Sequence, residues 1–135
     1  MVLTQQILTK EDELTMVLKS DLNLLNWTET EPVHSIAQAT AEYSIEGEFN
    51  GILHSNYTIF YSEYNKEDIH KSTSTFIGYS FFESSDNKLV DSMLFEEKGI
   101  FAEGVTSGEL KSKLANGNYF LEQGKMIITI EKKNS

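Results

Sequence analysis

Residues 33–46 read VHSIAQATAEYSIE, and apolar and polar side chains alternate along this stretch. One row holds Val33, Ala37, Ala39, Ala41, Tyr43 and Ile45. The other row holds His34, Gln38, Thr40, Glu42, Ser44 and Glu46. Successive side chains of a β-strand point to opposite faces, so this alternation predicts a strand with one buried face and one solvent-exposed face.

The residues that follow this strand predict a hairpin. Asn50-Gly51 stands between the apolar residues Phe49 and Ile52. An Asn-Gly pair in this setting favours a two-residue turn, which needs positive φ at both positions. We therefore expect residues 52–64 to fold back onto the strand in residues 33–46.

Period-two segments recur along the chain, at residues 15–28, 72–83, 88–97, 109–114 and 126–131. In the first of them the alternation slips at Leu24-Leu25, which takes Trp27 out of the leucine row and predicts a β-bulge. About eight strands with short links are typical of a β-sandwich or a β-barrel. Closure removes the two exposed edges of an open sheet, and short links favour up-and-down order. The chain is therefore expected to be all-β, with a single antiparallel up-and-down barrel over residues 14–133. Before it we expect an N-terminal segment, residues 1–13, that is irregular or forms a short helical turn opening at Thr9.

The composition excludes several classes of function. The chain has 135 residues, enough for one domain, with 21 acidic and 11 basic residues. Every basic residue is a lysine, so the guanidinium groups and the cationic surface that favour nucleic acids are missing. The absence of cysteine removes thiolate catalysis, disulfides and iron–sulfur clusters. The sequence has neither a leader-like segment nor a run of about 18 apolar residues. We therefore expect a cytoplasmic protein that binds neither nucleic acid nor membrane.

The barrel interior is the expected binding site. A barrel of about eight strands is just wide enough to be filled with side chains or to hold one small ligand. Three alanines leave space on one wall, and rings from neighbouring strands face that space, which suits a flat apolar ligand with one polar group. The predicted ligand contacts are Ala37, Ala39, Ala41, Tyr57, Tyr61, Tyr79 and Phe81. In the alternative interpretation, the rings simply fill the space above the alanines.

The fourth strand carries apolar side chains in both of its rows. Ile77, Tyr79 and Phe81 form one row, and Phe76 and Phe82 belong to the other. One row must lie outside a barrel, and an exposed apolar row of this size needs a cover. The candidate covers are Ile7 and Leu8 of the N-terminal segment or the same face of a second copy. We therefore favour a homo-oligomer over a monomer.

The sequence lacks the motifs of common enzyme classes. It has no Gly-x-Ser-x-Gly elbow, no Walker loop and no Gly-x-Gly-x-x-Gly turn. His34 and His54 lie toward opposite ends of the predicted hairpin, and His70 lies in a solvated turn, so we expect neither a metal site nor a cofactor. Glu83 is the first catalytic candidate, because apolar neighbours at the end of an aromatic strand would favour its neutral form and make it a proton carrier.

Four segments of the chain together resemble one protein family. They are Trp27-Thr28-Glu29-Thr30-Glu31-Pro32, Gly47-Glu48-Phe49-Asn50-Gly51, Phe76-Ile77-Gly78-Tyr79 and Thr106-Ser107-Gly108-Glu109-Leu110. In this order they are similar to motifs of a bacterial family of uncharacterised proteins with an allene oxide cyclase-like, lipocalin-related barrel. The resemblance implies an antiparallel barrel in a cytoplasmic protein of unassigned activity.

The same resemblance implies a fold shared with plant cyclases. Those enzymes bind a fatty-acid epoxide in the lumen and guide its ring closure largely by shape, assisted by a glutamate and an ordered water. The present sequence departs from the pattern, because residues 82–88 contain no glycine and because Ser80 and Phe81 replace charged residues. No catalytic residue is carried over from the family.

Three functions stay open on the sequence alone. The first is a barrel that binds a small apolar or aromatic ligand without changing it. The second is an isomerase-like or cyclase-like enzyme that uses an inward carboxylate, first of all Glu83, together with a tyrosine hydroxyl. The third is a scaffold whose aromatic outer face binds a partner protein.

Overall fold

Eight antiparallel strands close into a barrel in the computed structural model, which describes residues 14–133. The strands are β1 (Leu14–Glu29), β2 (Ile36–Gly47), β3 (Gly51–Glu63), β4 (Thr73–Ser84), β5 (Met93–Ala102), β6 (Val105–Lys111), β7 (Ala115–Glu122) and β8 (Lys125–Lys132). Each strand pairs with the next one in sequence, and β8 pairs back onto β1. The predicted up-and-down barrel is confirmed. Within residues 14–133, no helix is long and apolar enough to span a bilayer.

Some expectations fall on residues that the structure does not describe. The N-terminal segment, residues 1–13, lies outside the described residues. The expected helical turn at Thr9 and the candidate cover residues Ile7 and Leu8 lie there.

The alternation in β2 is matched by burial. Ala37, Ala39 and Ala41 are 1%, 4% and 5% exposed, while the residues between them are exposed to solvent. The three methyl groups therefore lie on the inner face of the barrel, as the sequence predicts.

The predicted bulge in β1 is present. The register between β1 and β2 shifts between Leu24 and Asn26, where the apolar alternation slips. After the shift Trp27 pairs with the inward-facing Ala41. Simple alternation would place Trp27 on the opposite face from Leu22 and Leu24. Because of the bulge, Trp27 instead lies on the same inner face as these leucines.

The hairpin between β2 and β3 is confirmed, but the predicted two-residue turn at Asn50-Gly51 is wrong. Neither residue has positive φ, and the turn instead uses Gly47, whose φ is 147°. The Asn50 amide closes the loop, because its Oδ1 accepts a hydrogen bond from the Gly47 backbone N–H at 3.1 Å and its Nδ2 donates to the Gly47 carbonyl at 3.3 Å. Two-residue turns with positive φ at both positions occur instead at Glu103-Gly104 and Gln123-Gly124.

One end of the barrel is closed by apolar side chains from its loops. Phe49 lies in the loop between β2 and β3, and Val90 lies in the loop between β4 and β5. They are 6% and 7% exposed. Phe49 also packs edge-to-face on Phe82, with ring centroids 5.6 Å apart. We call this the closed end.

The opposite end remains open within the described part of the chain. β1 pairs with β8 only as far as Asp21, so the rest of β1 extends past the barrel paired with β2 alone. Leu24 and Trp27, on this extension, are 56% and 39% exposed. A short 3₁₀ helix, Ile69–Lys71, lies at the same end of the barrel, in the connection between β3 and β4. We call this the open end.

Candidate functional site

A cavity of about 480 Å³ lies inside the barrel between the closed end and the open end. Its walls are mostly apolar, and they receive side chains from every strand, including Tyr43, Leu53, Phe95, Leu110, Leu121 and Met126. Cavities that bind small molecules fall in this size range, and they typically combine an apolar wall with a few polar groups.

The one fully enclosed carboxylate among these wall residues belongs to Glu97 of β5. The residue is 4% exposed, because strand alternation places it in the inner row with Phe95 and Phe101. Its Oε1 accepts hydrogen bonds from the Tyr57 hydroxyl at 3.0 Å and from the Ser80 hydroxyl at 2.8 Å. Its Oε2 accepts a hydrogen bond from the Tyr119 hydroxyl. Side chains from three other strands therefore converge on the carboxyl group of Glu97.

A second serine extends this arrangement. The Ser55 hydroxyl lies 2.7 Å from the Ser80 hydroxyl, and the two serines are 3% and 1% exposed. They are direct cross-strand partners on β3 and β4. We refer to Glu97, Tyr57, Tyr119, Ser80 and Ser55 together as the Glu97 cluster.

A glycine makes room for one ring of the cluster. Gly108 of β6 pairs directly with Tyr119 of β7, and a Cβ at Gly108 would lie 2.7 Å from the tyrosine ring. Any larger residue would push this ring out of its place beside Glu97. Gly108 therefore lies within β6 and positions Tyr119.

Burial shifts the pKa values of the carboxyl group and the tyrosine hydroxyl groups in the Glu97 cluster. Burial raises the pKa of Glu97 above its ordinary value, while the hydrogen bonds from Tyr119, Ser80 and Tyr57 act in the opposite direction. Burial and the nearby charge of Glu97 raise the pKa values of Tyr57 and Tyr119 well above 10. Tyr43 lies close by, and its pKa is raised for the same two reasons. The tyrosines are thus neutral hydroxyl groups at physiological pH.

A second carboxylate lies at the open end. Glu29 accepts hydrogen bonds from the Trp27 indole N–H at 3.1 Å and from the Tyr61 hydroxyl at 2.5 Å. Ile69 and His70 of the 3₁₀ helix also border the cavity here. The open end is therefore an aromatic rim that carries one acidic group.

The structure divides the five predicted ligand contacts on β2 and β3 into two groups. Tyr57 and Tyr61 border the cavity. Ala37 and Ala39 are buried in a cluster with Tyr57, Ile59 and Tyr61, and none of the three predicted alanines reaches the cavity surface. At these positions the alternative interpretation holds, since the rings cover the alanines.

The predicted lumen positions of Tyr79 and Phe81 are wrong. They are 60% and 41% exposed and lie in the outer row of β4. The inner row contains Ser80 and Phe82 instead, because Ser80 pairs with the inward-facing Ser55 of β3. Both rows of β4 are apolar, so composition alone does not identify the inner one.

The predicted surroundings of Glu83 are also wrong. Its side chain is 63% exposed and lies on the outer face of the barrel. Its Oε1 lies 3.3 Å from Nε2 of His54, whose Nδ1 lies 3.1 Å from Glu42. Glu83 therefore has a polar, solvated environment, and the enclosed carboxylate is Glu97.

The sequence analysis missed Glu97, Tyr119, Ser80 and Tyr43. A usable signal exists in β5, where the row Met93, Phe95, Glu97, Gly99 and Phe101 is apolar apart from one acid. Ending this strand at residue 97 hid the signal, because a terminal glutamate is expected to be solvated. The structure continues β5 to Ala102, which places Glu97 in mid-strand.

No protein-family model matches the chain, and no curated protein matches it either. Within residues 14–133, no group of three or more histidine, aspartate or glutamate side chains has the geometry of a metal site. The interpretation of the site therefore depends on its own geometry.

Proposed function

We propose that this protein binds one small, largely apolar molecule inside the barrel, with a single polar group of that molecule at the Glu97 cluster. One observation carries the proposal. The apolar cavity of about 480 Å³ is open at one end and contains one hydrogen-bonded carboxyl group in mid-barrel. An apolar wall with a few convergent polar groups is the usual form of a small-molecule site.

The closed end and the open end support a single route of access. Phe49 and Val90 block one end, whereas Trp27 and Ile69 at the other end border the cavity and are still 39% and 41% exposed. A ligand that entered past the aromatic rim would remove these rings from water. Burial of apolar surface would then supply most of the affinity.

Titration with a neutral apolar dye tests the proposal. N-phenyl-1-naphthylamine gains fluorescence when it leaves water, and we expect one saturable site per chain. Native mass spectrometry of protein purified without detergent would report any retained small molecule directly. Saturable dye binding would support the proposal, and a folded protein without a dye site or a retained molecule would contradict it.

A matched pair of variants locates the dye. Leu121 and Phe120 are adjacent on β7, but Leu121 borders the cavity while Phe120 is 64% exposed outside. We expect Leu121→Trp to fill the cavity and to weaken dye binding at least about tenfold, a loss of about 1.4 kcal/mol. Phe120→Trp adds the same ring to the outer face and should leave the affinity unchanged. Equal effects of the two changes would place the dye outside the barrel.

The raised pKa of Glu97 supports a second candidate, an isomerase-like or cyclase-like enzyme. A neutral glutamic acid can donate a proton to a bound carbonyl compound, and its carboxylate can take a proton from the neighbouring carbon. Exchange of the α hydrogens of 1-tetralone with solvent deuterium, followed by NMR, tests this chemistry. We expect Glu97→Gln to abolish exchange while the dye still binds, and exchange at the uncatalysed rate in the wild type would exclude this candidate for aryl ketones.

The outer face of β4 supports a proposal about assembly. Tyr79, Phe81 and the neighbouring Leu94 of β5 are 60%, 41% and 61% exposed, and Phe81 pairs directly with Leu94. We propose that a second copy of the chain packs on this face, and the scaffold function with another protein is the alternative. Sedimentation velocity of the wild type and Tyr79→Lys distinguishes a dimer from a monomer.

We also propose a cytoplasmic location, which cell fractionation would test.

A further inference from the structure

The hydroxyl groups of the Glu97 cluster direct their hydrogens toward the carboxyl group. A tyrosine or serine hydroxyl has one hydrogen and two lone pairs. Tyr57, Tyr119 and Ser80 all donate to Glu97. Because the hydrogen of Ser80 is used in this way, Ser55 must be the donor in the bond between the two serines. The cluster therefore presents lone pairs, and a ligand must supply the hydrogens.

The charges around the cavity also favour a ligand that donates hydrogen bonds. The wall residues that the structure describes include the carboxyl groups of Glu97 and Glu29 but no lysine, and the sequence contains no arginine. The formal charge of the whole chain is −10. A ligand carboxylate would find neither lysine nor arginine in this wall, where the one other basic side chain is the His70 imidazole at the open end, and it would meet the like charge of Glu29 there. An anionic ligand is therefore strongly disfavoured.

The rings of the cavity suit a cation. Tyr57 and Phe76 pack edge-to-face with centroids 5.1 Å apart, and both border the cavity together with Tyr43 and Phe95. An ammonium group near the face of an aromatic ring is attracted by its quadrupole. Aromatic surroundings therefore lower the cost of bringing such a group into this apolar cavity.

We propose that the ligand of this cavity is an amine, protonated on nitrogen and carrying an aromatic or aliphatic body of one or two rings. Its N–H groups would donate to Glu97 and to the hydroxyl oxygens of Tyr57 and Tyr119. The proposal rests on the proposed function, because it names the polar group of the molecule that the barrel binds. Burial alone disfavours a charge on Glu97, and the ammonium group supplies the opposite charge that stabilises the carboxylate.

Three indoles of nearly equal shape test the charge preference. Tryptamine is cationic at pH 7.5, tryptophol is neutral, and indole-3-propionate is anionic. Each is used to displace N-phenyl-1-naphthylamine from the wild-type protein. We expect tryptamine to bind about tenfold more tightly than tryptophol, because hydrogen bonds between charged groups are stronger than neutral ones. Indole-3-propionate should bind more weakly than tryptophol.

Two variants separate the effect of Glu97 from that of the overall negative charge. Glu97→Gln keeps the size of the side chain but removes its charge, and we expect tryptamine to lose its tenfold advantage while the dye still binds. Glu83→Gln removes one negative charge from the outer face and should leave the advantage unchanged. If Glu97→Gln does not fold, Tyr119→Phe removes one acceptor of the ligand and should reduce the advantage in part.

The outcomes distinguish the amine assignment from the small-molecule binding on which it rests. If tryptophol or indole-3-propionate displaces the dye as well as tryptamine does, the amine assignment is wrong and the binding function stands. The assignment is also wrong if Glu83→Gln removes the preference as completely as Glu97→Gln. If neither the dye nor any of the indoles binds the folded wild-type protein, the proposed function fails as well.

Discussion

Replacing Glu97 by glutamine should change how the stability of the barrel depends on pH. The substitution keeps the shape of the side chain and removes its ability to ionise. Burial raises the pKa of Glu97 in the folded protein above the ordinary value of 4.5 that applies in the unfolded chain. Between these two pKa values the folded state binds more protons than the unfolded state does.

The sign and the size of the effect follow from this difference. The stabilising contribution of Glu97 is fully present below pH 4.5, and it is lost as the pH rises through the folded pKa. One proton accounts for a slope of at most about 1.4 kcal/mol of unfolding free energy per pH unit. Tyr57, Tyr119 and Tyr43 face Glu97 from three other strands, and their raised pKa values keep them neutral up to pH 9.

Urea unfolding of the wild type and Glu97→Gln at half-unit steps from pH 4.5 to pH 9 measures this contribution. We expect the difference in unfolding free energy, wild type minus variant, to fall as the pH rises and then to level off. All other titrating groups occur in both proteins and cancel. A Glu97 difference that stays flat or rises with pH would falsify the assignment of Glu97 as a buried group with a raised pKa.

Three further substitutions test the packing around the site. Tyr119→Phe removes the donor to Oε2 of Glu97 and should cost about 1–3 kcal/mol in urea unfolding. Gly108→Ala places a Cβ 2.7 Å from the Tyr119 ring, and calorimetry should show a destabilisation of about 1–3 kcal/mol. Phe49→Ala removes the edge-to-face partner of Phe82 at the closed end and should cost about 3–5 kcal/mol. A loss below about 0.5 kcal/mol, typical of neutral surface changes, would contradict the respective contact.

The fold is predictable from this sequence because one physical rule dominates it. Most strands bury one face, and alternation reports this burial directly, as the row of Ala37, Ala39 and Ala41 illustrates. The bulge at Leu24 is also readable, because an extra residue in one strand shifts the alternation at that point. Turn geometry is less predictable, since the Asn50 side chain closes the loop at Gly47 by a route that the Asn-Gly rule does not contain.

The site is harder to predict because it depends on which row faces inward. In β4 the rows of Tyr79 and Phe82 are both apolar, so the choice is made by the pairing of Ser80 with the inward-facing Ser55 of the neighbouring strand β3. Serine pairs give no hydrophobic signal. Glu97 is hidden for a related reason, because its burial depends on donors from three other strands, and residues so distant in sequence cannot be matched without the register.

The Glu97 cluster also raises the question of whether it supports the fold or only the site. A buried polar network often adds little to stability compared with apolar residues of similar shape, whereas removal of one member leaves the others unsatisfied. Glu97→Leu alone leaves three hydroxyl groups without an acceptor and should therefore destabilise the barrel by about 1–3 kcal/mol for each of them. The polar groups left without a partner are all removed by four added changes: Tyr57→Phe, Tyr119→Phe, Ser80→Ala and Ser55→Ala. The resulting five-fold variant, with five substitutions in one chain, should recover the stability of the wild type. Urea unfolding measures both proteins. Recovery of stability together with loss of tryptamine binding would assign the cluster to ligand binding, whereas a five-fold variant less stable than Glu97→Leu would mean that the network itself holds the four strands together.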